Sequence, residues 1–382
     1  GKVNVATSLR QPGSSFKPIY YTQALANGVI TPASILHDVK TDFGGGYTPL
    51  DADRKFRGDV TVRNALNMSL NIPSVEVMQK LGVDTAVQTA QRMGLDSIDS
   101  KNNYGLSLAL GAAEVTPLNL TNAYAALGNQ GKQYPTSVIK IINGKYGDQV
   151  FKANSSSKQV ISQQGAFLIS NILSDNASRA PIFGSSLNVY DAKTRAVKTV
   201  AVKTGTTNDS RDAWTMGYTP QMAIGVWVGN NDNRAMTNGG SIMAGPIFTK
   251  AMGSILAGID TKFSEVPGVV QRNVCTSNHG LANSAVKGST YSEYFLSSAL
   301  PTLSCSVSSP TPTPTPTPSQ STQPDNILSM TLGASPTESA SQGTNVTFTA
   351  TLSNTAATGA IKFKDGNTTL GTIQVVNGSA SL

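Results

Sequence analysis

Thr199-Val-Ala-Val-Lys-Thr-Gly-Thr-Thr207, Asp212-Ala-Trp-Thr-Met-Gly217 and Gln221-Met-Ala-Ile-Gly-Val-Trp-Val-Gly229 follow one another closely in the chain. Each run is rich in β-branched or aromatic residues, and the turn formers Asn208-Asp209-Ser210 and Thr219-Pro220 separate them. The three therefore read as successive strands, Thr199–Lys203, Asp212–Gly217 and Gln221–Gly229, of an antiparallel meander. Working outward, helices are expected over Ser15–Ala26, Thr61–Ser69, Pro117–Leu127 and Gln163–Ser174. Thr116 before Pro117 is a natural start, because threonine caps free amides and proline loses nothing at the first helical position. Helices combined with an antiparallel sheet make an α+β domain, expected from Gly1 to about Gly268.

Composition narrows the chemistry. At 382 residues and 39% hydrophobic content the chain is long enough to bury a core. The +7 balance, from 29 Lys+Arg against 22 Asp+Glu, is spread along the sequence rather than clustered, which argues against nucleic acid as a partner. Histidine occurs only at His37 and His279, so nucleophilic catalysis here needs another base. Cys275 and Cys305 lack the spacing of a zinc site, and no metal or cofactor is expected. In an oxidising compartment they could close one disulfide; two thiols are the other reading. No run of about 18 apolar residues occurs to span a bilayer.

Three short motifs occur in order: Ser14-Ser-Phe-Lys17, Ser69-Leu-Asn71 and Lys203-Thr-Gly205. Each alone is common as a solvated helix face or a strand end; their combination and order are not. Pro12-Gly13 breaks the chain just before the first. Ser14 and Lys17, three apart, share one face of a first helical turn, where Pro18 is tolerated. A buried lysine near the positive helix end holds its proton weakly, so Lys17 can serve as the base for Ser14. Pro73 forbids a helix ending at Ser69-Leu-Asn71 from continuing, so these side chains can project into a cleft; helix C-capping by Asn71 is the plainer alternative. Ser69 is a candidate proton relay and Asn71 a holder of substrate amide. Gly205 leaves room for substrate backbone, while Lys203, Thr204, Thr206 and Thr207 offer charge and hydroxyls to a carboxylate. The backbone amides of Ser14 and Thr206 are the candidate oxyanion hole.

With these motifs stand Arg10-Gln-Pro-Gly13 before the serine, Lys55-Phe-Arg-Gly58, Leu106-Ser-Leu-Ala-Leu-Gly111, Val115-Thr-Pro117 and Gly217-Tyr-Thr-Pro220. Together they resemble the transpeptidase domain of class A penicillin-binding proteins, from about Gly1 to Thr302. The resemblance implies a β-lactamase/transpeptidase-like fold with a five-stranded antiparallel sheet flanked by helices. It also implies a peptidoglycan D,D-transpeptidase that acts on stem peptides ending in D-Ala-D-Ala through an acyl-enzyme on Ser14 and is blocked by β-lactams. By motif, Lys17, Ser69, Asn71 and Lys203 would be catalytic, and Lys203, Thr204 and Thr206 the carboxylate clamp. Such proteins carry a membrane anchor, a glycosyltransferase domain and the first strands of the sheet before the serine motif. The expectation is thus a sheet lacking its N-terminal strands, in a protein working on the extracytoplasmic face of the membrane. A D,D-carboxypeptidase or β-lactamase, which passes the acyl group to water, is the enzymatic alternative; a non-catalytic surface protein is the other. Glu114, the residue type with which β-lactamases hydrolyse their acyl-enzyme, stands just before the Thr116-Pro117 helix start, where its charge suits the helix end. Trp214 and Trp227 read as sheet packing.

Residues 269–305 read as a loop-rich extension. A Pro/Thr-rich linker over 306–326 follows, expected as an extended polyproline II spacer of roughly 3.1 Å per residue. Val346, Phe348, Ala350 and Leu352 then alternate with polar residues, and Asp365-Gly366 signals a hairpin. The tail over 327–382 is expected to be all-β and to resemble part of a bacterial immunoglobulin-like module with a cell-surface or wall ligand. It is too short for the roughly 100 residues of a full sandwich.

Overall fold

The computed structural model describes residues 3–99, 101–283, 288–305, 330–335, 344–353, 359–365 and 368–382, in two compact units, 1–308 and 309–382. Helix α1 (Lys17–Ala26) is the centre of the first. Ile19, Tyr20, Tyr21, Ala24 and Leu25 are all fully buried, so the helix is covered nearly all round rather than along one stripe. Its two tyrosines are affordable inside because Tyr20 Oη donates to Ser74 O and Ala109 O, and Tyr21 Oη pairs with Ser74 Oγ.

Strands β1 (Ile35–Asp38) and β2 (Gly58–Thr61) pair antiparallel and lead into α2 (Val62–Asn67), whose first turn Thr61 caps by accepting from Asn64 N–H. Helices α3 (Ile72–Leu81) and α4 (Val83–Arg92) follow and pack on α1. Helix α5 (Pro117–Gly128) starts as its sequence dictates, Thr116 Oγ1 accepting from Asn119 N–H at 3.1 Å. Four short strands, β3 (Lys132–Gln133), β4 (Ile141–Asn143), β5 (Gln149–Lys152) and β6 (Lys158–Gln159), nest as β3 with β6 and β4 with β5. Then come α6 (Gln163–Leu173) and α7 (Asn176–Phe183).

The meander is present: β7 (Ala201–Thr206), β8 (Asp212–Tyr218) and β9 (Ala223–Gly229) form one antiparallel sheet in that order. Strand β7 runs three residues beyond Lys203, since Gly205 pairs with Trp214 and Thr206 with Ala213. Glycine weakens a strand by itself, and here cross-strand pairing overrides it. Ala201, Trp214, Met216 and Tyr218 face the large helical core. Val200 and Val202 meet Phe248 and Met252 of α9 (Gly245–Ile255), which follows the short α8 (Gly240–Met243), with Ile224 and Val226 packed against them. These three strands are the ones expected after the serine motif. Among the described residues none pairs along the outer edge of β9.

The segment expected to be loop-rich holds a hairpin, β10 (Val269–Cys275) with β11 (Thr290–Leu296), in register from Val269↔Leu296 to Cys275↔Thr290. Its polar residues hide the alternation in sequence: Glu293 is buried because Arg63 of α2 grips it with Nε and Nη2. Cys275 and Cys305 are joined in a disulfide.

In the second unit, β12 (Met330–Ser335), β13 (Thr347–Leu352) and β16 (Ser379–Ser381) make one sheet, and β14 (Ala360–Asp365) pairs with β15 (Thr368–Gln374). Ala350, Phe363 and Ala380 form its small core. The 306–326 linker and the Gly366 turn position lie outside the described residues.

Candidate active site

Gly13–Phe16 is a single 3-10 turn, not the first turn of an α-helix, and α1 begins at Lys17 with Pro18 in its first turn. Residues i and i+3 eclipse in such a turn, which sets Ser14 and Lys17 on one side. Lys17 is fully buried. Its Nζ donates to Ser69 O at 2.9 Å, Leu70 O at 2.8 Å and Asn71 Oδ1 at 2.9 Å. Burial pulls its pKa from 10.5 to about 7, a fall that the Asp51 carboxylate partly opposes. With all three ammonium protons spent on the second motif, Lys17 makes no hydrogen bond to Ser14. Ser14 Oγ has no hydrogen-bond partner among the described residues and opens into the cleft. Losing one proton would free the Lys17 lone pair and one of these contacts.

The second motif is a link between helices. Helix α2 stops at Asn67, Ser69 takes a left-handed conformation at φ 62°, and Asn71 stands at the N-cap position of α3, with Pro73 inside the next helix. Asn71 therefore does not cap a C-terminus, and its side chain makes no N-cap bond either: Oδ1 accepts from Lys17 and Nδ2 donates to Leu50 O at 2.9 Å. Backbone strain at a non-glycine residue persists only where surroundings over-determine it. Here Lys203 Nζ holds Ser69 Oγ at 2.7 Å.

Lys203 is buried as well, its other donation going to Thr204 O at 2.9 Å. Burial holds its pKa well below the lysine range, and the charges of Lys17 and Arg179 push the same way. Gly205 has a different reason from the one expected. A Cβ there would sit 2.4 Å from Pro12 O and 3.0 Å from Ser15 N, so it is the serine turn, not substrate backbone, that requires glycine. Gly13, at φ +53°, lies equally tight on Thr206, and Gly111, at φ +77°, on Gly13. The first and third motifs are thus in backbone contact, with Ser14 and Thr206 as neighbours. Thr206 Oγ1 accepts from Gly240 N–H at 3.0 Å and keeps its own proton free. Thr207 donates its hydroxyl proton to Asp212 Oδ2 at 3.0 Å, so that proton is committed within the strand pair.

Ser14, Ser69, Asn71, Thr204, Thr206 and Thr207 line one cleft of about 610 Å³; Lys17, Lys203 and Gly205 stand behind its wall. Glu114, His37 and His279 are elsewhere, His279 Nδ1 pairing with Tyr291 Oη at 2.8 Å. Trp214, fully buried, packs as expected and also donates Nε1–H to Gln11 O at 2.8 Å, anchoring the segment that enters the serine turn. Trp227 Nε1 donates to Asp212. Sequence reasoning assigned no part to Asp51, whose Oδ1 accepts from Asn71 N–H. Its surroundings, Pro49-Leu-Asp-Ala-Asp-Arg54, carry no signal beyond that of a polar loop.

Residues 2–253 match the family described as the penicillin binding protein transpeptidase domain. Penicillin-binding protein 1A of Neisseria flavescens is 31% identical over 303 residues, covering 73% of this chain and 37% of that protein. Its Aquifex aeolicus namesake is 33% identical over 64% of this chain and 33% of its own length. The chain thus spans about a third of the curated relatives it matches. The crystal structure of penicillin-binding protein 1A from Haemophilus influenzae superposes with a TM-score of 0.68 at 28% identity, covering 80% of this chain and 50% of that one. For PonA1 of Mycobacterium tuberculosis in complex with penicillin V, the TM-score is 0.62 at 24% identity, over 70% and 74% of the two chains, a likeness of fold.

Proposed function

The chain belongs to the penicillin-binding protein transpeptidase family, and on that premise we propose that it is a D,D-transpeptidase that cross-links peptidoglycan stem peptides through Ser14. Ser14 Oγ attacks the carbonyl of the penultimate D-alanine, forming the ester, and the C–N bond to the terminal D-alanine breaks. The Ser14 proton passes to neutral Lys17, and Ser69 relays one to the departing amine. An amine from a neighbouring stem peptide then attacks the ester and releases Ser14. Developing negative charge on the carbonyl oxygen meets the backbone amides of Ser14 and Thr206, while the terminal carboxylate meets Thr204, Thr206 and the charge of Lys203. A β-lactam would acylate the same serine.

The observation that carries this reading is the interlock of the motifs. Lys17 of the first bonds three oxygens of the second, and Lys203 of the third bonds the Ser69 hydroxyl. The full protein is proposed to act on the extracytoplasmic face of a bacterial membrane, with a glycosyltransferase domain alongside, and with the tail as an immunoglobulin-like spacer or adhesive module beyond the Pro/Thr linker. Fluorescent penicillin followed by peptide mapping tests the reading. A covalent adduct on the Ser14 peptide, lost in Ser14→Ala, supports it; no adduct on folded protein overturns it. D-alanine release with and without an acceptor amine separates transpeptidase from carboxypeptidase.

A further inference from the structure

The wall of the cleft opposite the sheet is formed by residues 47–57, the end of the loop that joins β1 to β2, where Asp51 and Asp53 of the loop and Asp38 of β1 gather around Arg57. Asp51 is 4% exposed. Its Oδ1 accepts the Asn71 amide proton, and its Oδ2 lies 3.5 Å from Arg57 Nη1. Asp38, fully buried behind it, accepts the Arg57 amide proton at 2.9 Å and lies 3.5 Å from the same Nη1, while Asp53 takes Arg57 Nη2 at 2.6 Å. Asp38 Oδ1 is buried with no donor of its own. Burial and the neighbouring Asp51 raise the Asp38 carboxyl to about 6. The Asp51 carboxylate also favours the protonated form of Lys17, against the pull of burial.

We propose that Asp51 is a positioning residue for acylation: its carboxylate anchors the Asn71 end of the strained Ser69–Asn71 link and is the countercharge that sets how readily Lys17 gives up a proton. The proposal rests on the serine-acyltransferase reading. It explains why a polar loop is bound so firmly to the cleft: Asn71 is gripped through its amide by Asp51 and through its side chain by Leu50 O. Asn71 Oδ1 is thereby turned to Lys17. The other charged groups around it are Lys203 of β7, which feels both Lys17 and Arg179 of α7, and the Arg57–Asp38 pair beside Asp51. Asp51 is the carboxylate whose charge favours the Lys17 proton.

Two variants separate anchoring from charge. Asp51→Asn keeps an oxygen for the Asn71 amide and removes the charge, whereas Asp51→Ala removes both. The readout is the second-order rate of Ser14 acylation by fluorescent penicillin between pH 5 and 9, with thermal unfolding of each variant in parallel. With the carboxylate gone, Lys17 loses its proton more easily. The acid limb of the Asp51→Asn profile is expected to move to lower pH by about one unit, with its alkaline plateau kept. For Asp51→Ala the plateau itself is expected to fall roughly ten- to a hundredfold, as reacting groups drift out of place. A loss of packing alone would not shift a limb acidward. An Asp51→Asn profile superimposable on wild type overturns the charge role. A folded Asp51→Ala with an unchanged plateau overturns the anchoring role; if that variant does not fold, the plateau of Asp51→Asn decides, since a collapse with the acceptor retained contradicts the assignment. Wild type that fails to label at Ser14 would instead sink the underlying reading.

Discussion

Lys203 Nζ donates to Ser69 Oγ at 2.7 Å across 134 residues of sequence, and that contact holds the one motif residue whose backbone is strained. The third motif therefore secures the second before any substrate arrives. Ser69→Ala keeps the left-handed backbone cost but deletes its restraint and leaves the buried Lys203 with Thr204 O. Acylation is expected to fall about a hundredfold or more, as for loss of a proton relay. Stability should drop by about 1–3 kcal/mol for the orphaned donor. Penicillin labelling rates and urea unfolding measure the two effects.

Lys17 gives the acid limb its sign. Its pKa in the folded protein is lowered to about 7 by burial, so the neutral amine that can accept the Ser14 proton accumulates above that pH. The acylation rate is expected to climb through pH 7 and level off above it. Between about 7 and the ordinary lysine value of 10.5 the unfolded chain binds more protons than the folded one, so this group makes stability rise with pH over that window, and its contribution is fully lost once pH has fallen to about 7. Lys17→Arg should abolish labelling at every pH, because a guanidinium does not give up its proton. A Lys17→Arg protein that labels at wild-type rate would remove Lys17 from the base role.

Gly111 tests the backbone contact between motifs. A Cβ there would lie 2.3 Å from Gly13 O and 2.6 Å from Gly13 N, on a residue already at φ +77°. Gly111→Ala is expected to cost about 1–2 kcal/mol through the left-handed conformation alone. It also displaces the serine turn, so labelling should fall further than the melting temperature suggests. Gly46→Ala, at similar φ +79° but with nothing near its Cβ, is the control: it should lose stability yet keep labelling.

The meander and the four central helices were legible because their signals are local: β-branched runs between turn formers, and a threonine–proline start that the Thr116 cap reproduces. The three motifs were legible as residue types, and Ser14, Ser69 and Asn71 do meet in one cleft. What the sequence hid depends on partners far along the chain. Gly205 looked like room for substrate, but the occupant of that space is the serine turn. Asn71 looked like the end of a helix, but a new one starts beside it. Glu293 interrupts the apolar pattern of β11, and only Arg63, 230 residues away, explains its burial.

That pair holds one end of α2, and a separate anchor holds the other. At its start Arg63 grips Glu293 of β11 and reaches Asn171 O at 3.3 Å and Asp175 at 3.4 Å. At its end Asn67 Nδ2 donates to Ile172 O at 2.7 Å and to Ser178 Oγ, two residues before Ser69. Glu293→Ala leaves the largely buried guanidinium with Asp175 as its remaining carboxylate and should cost about 3 kcal/mol, while Arg63→Met/Glu293→Leu, which leaves behind only the part-exposed Asp175, should recover most of it. Because the far end of α2 stays bolted, protein still folded should label within about threefold of wild type, an interaction remote from the reacting groups. Asn67→Ala should do the reverse, a smaller loss of stability of about 1–3 kcal/mol with a larger loss of labelling, since it frees the turn that carries Ser69. Equal labelling losses in the two variants would mean that α2 transmits disturbance along its whole length, and the second motif would then depend on the disulfide-closed hairpin as much as on its own neighbours.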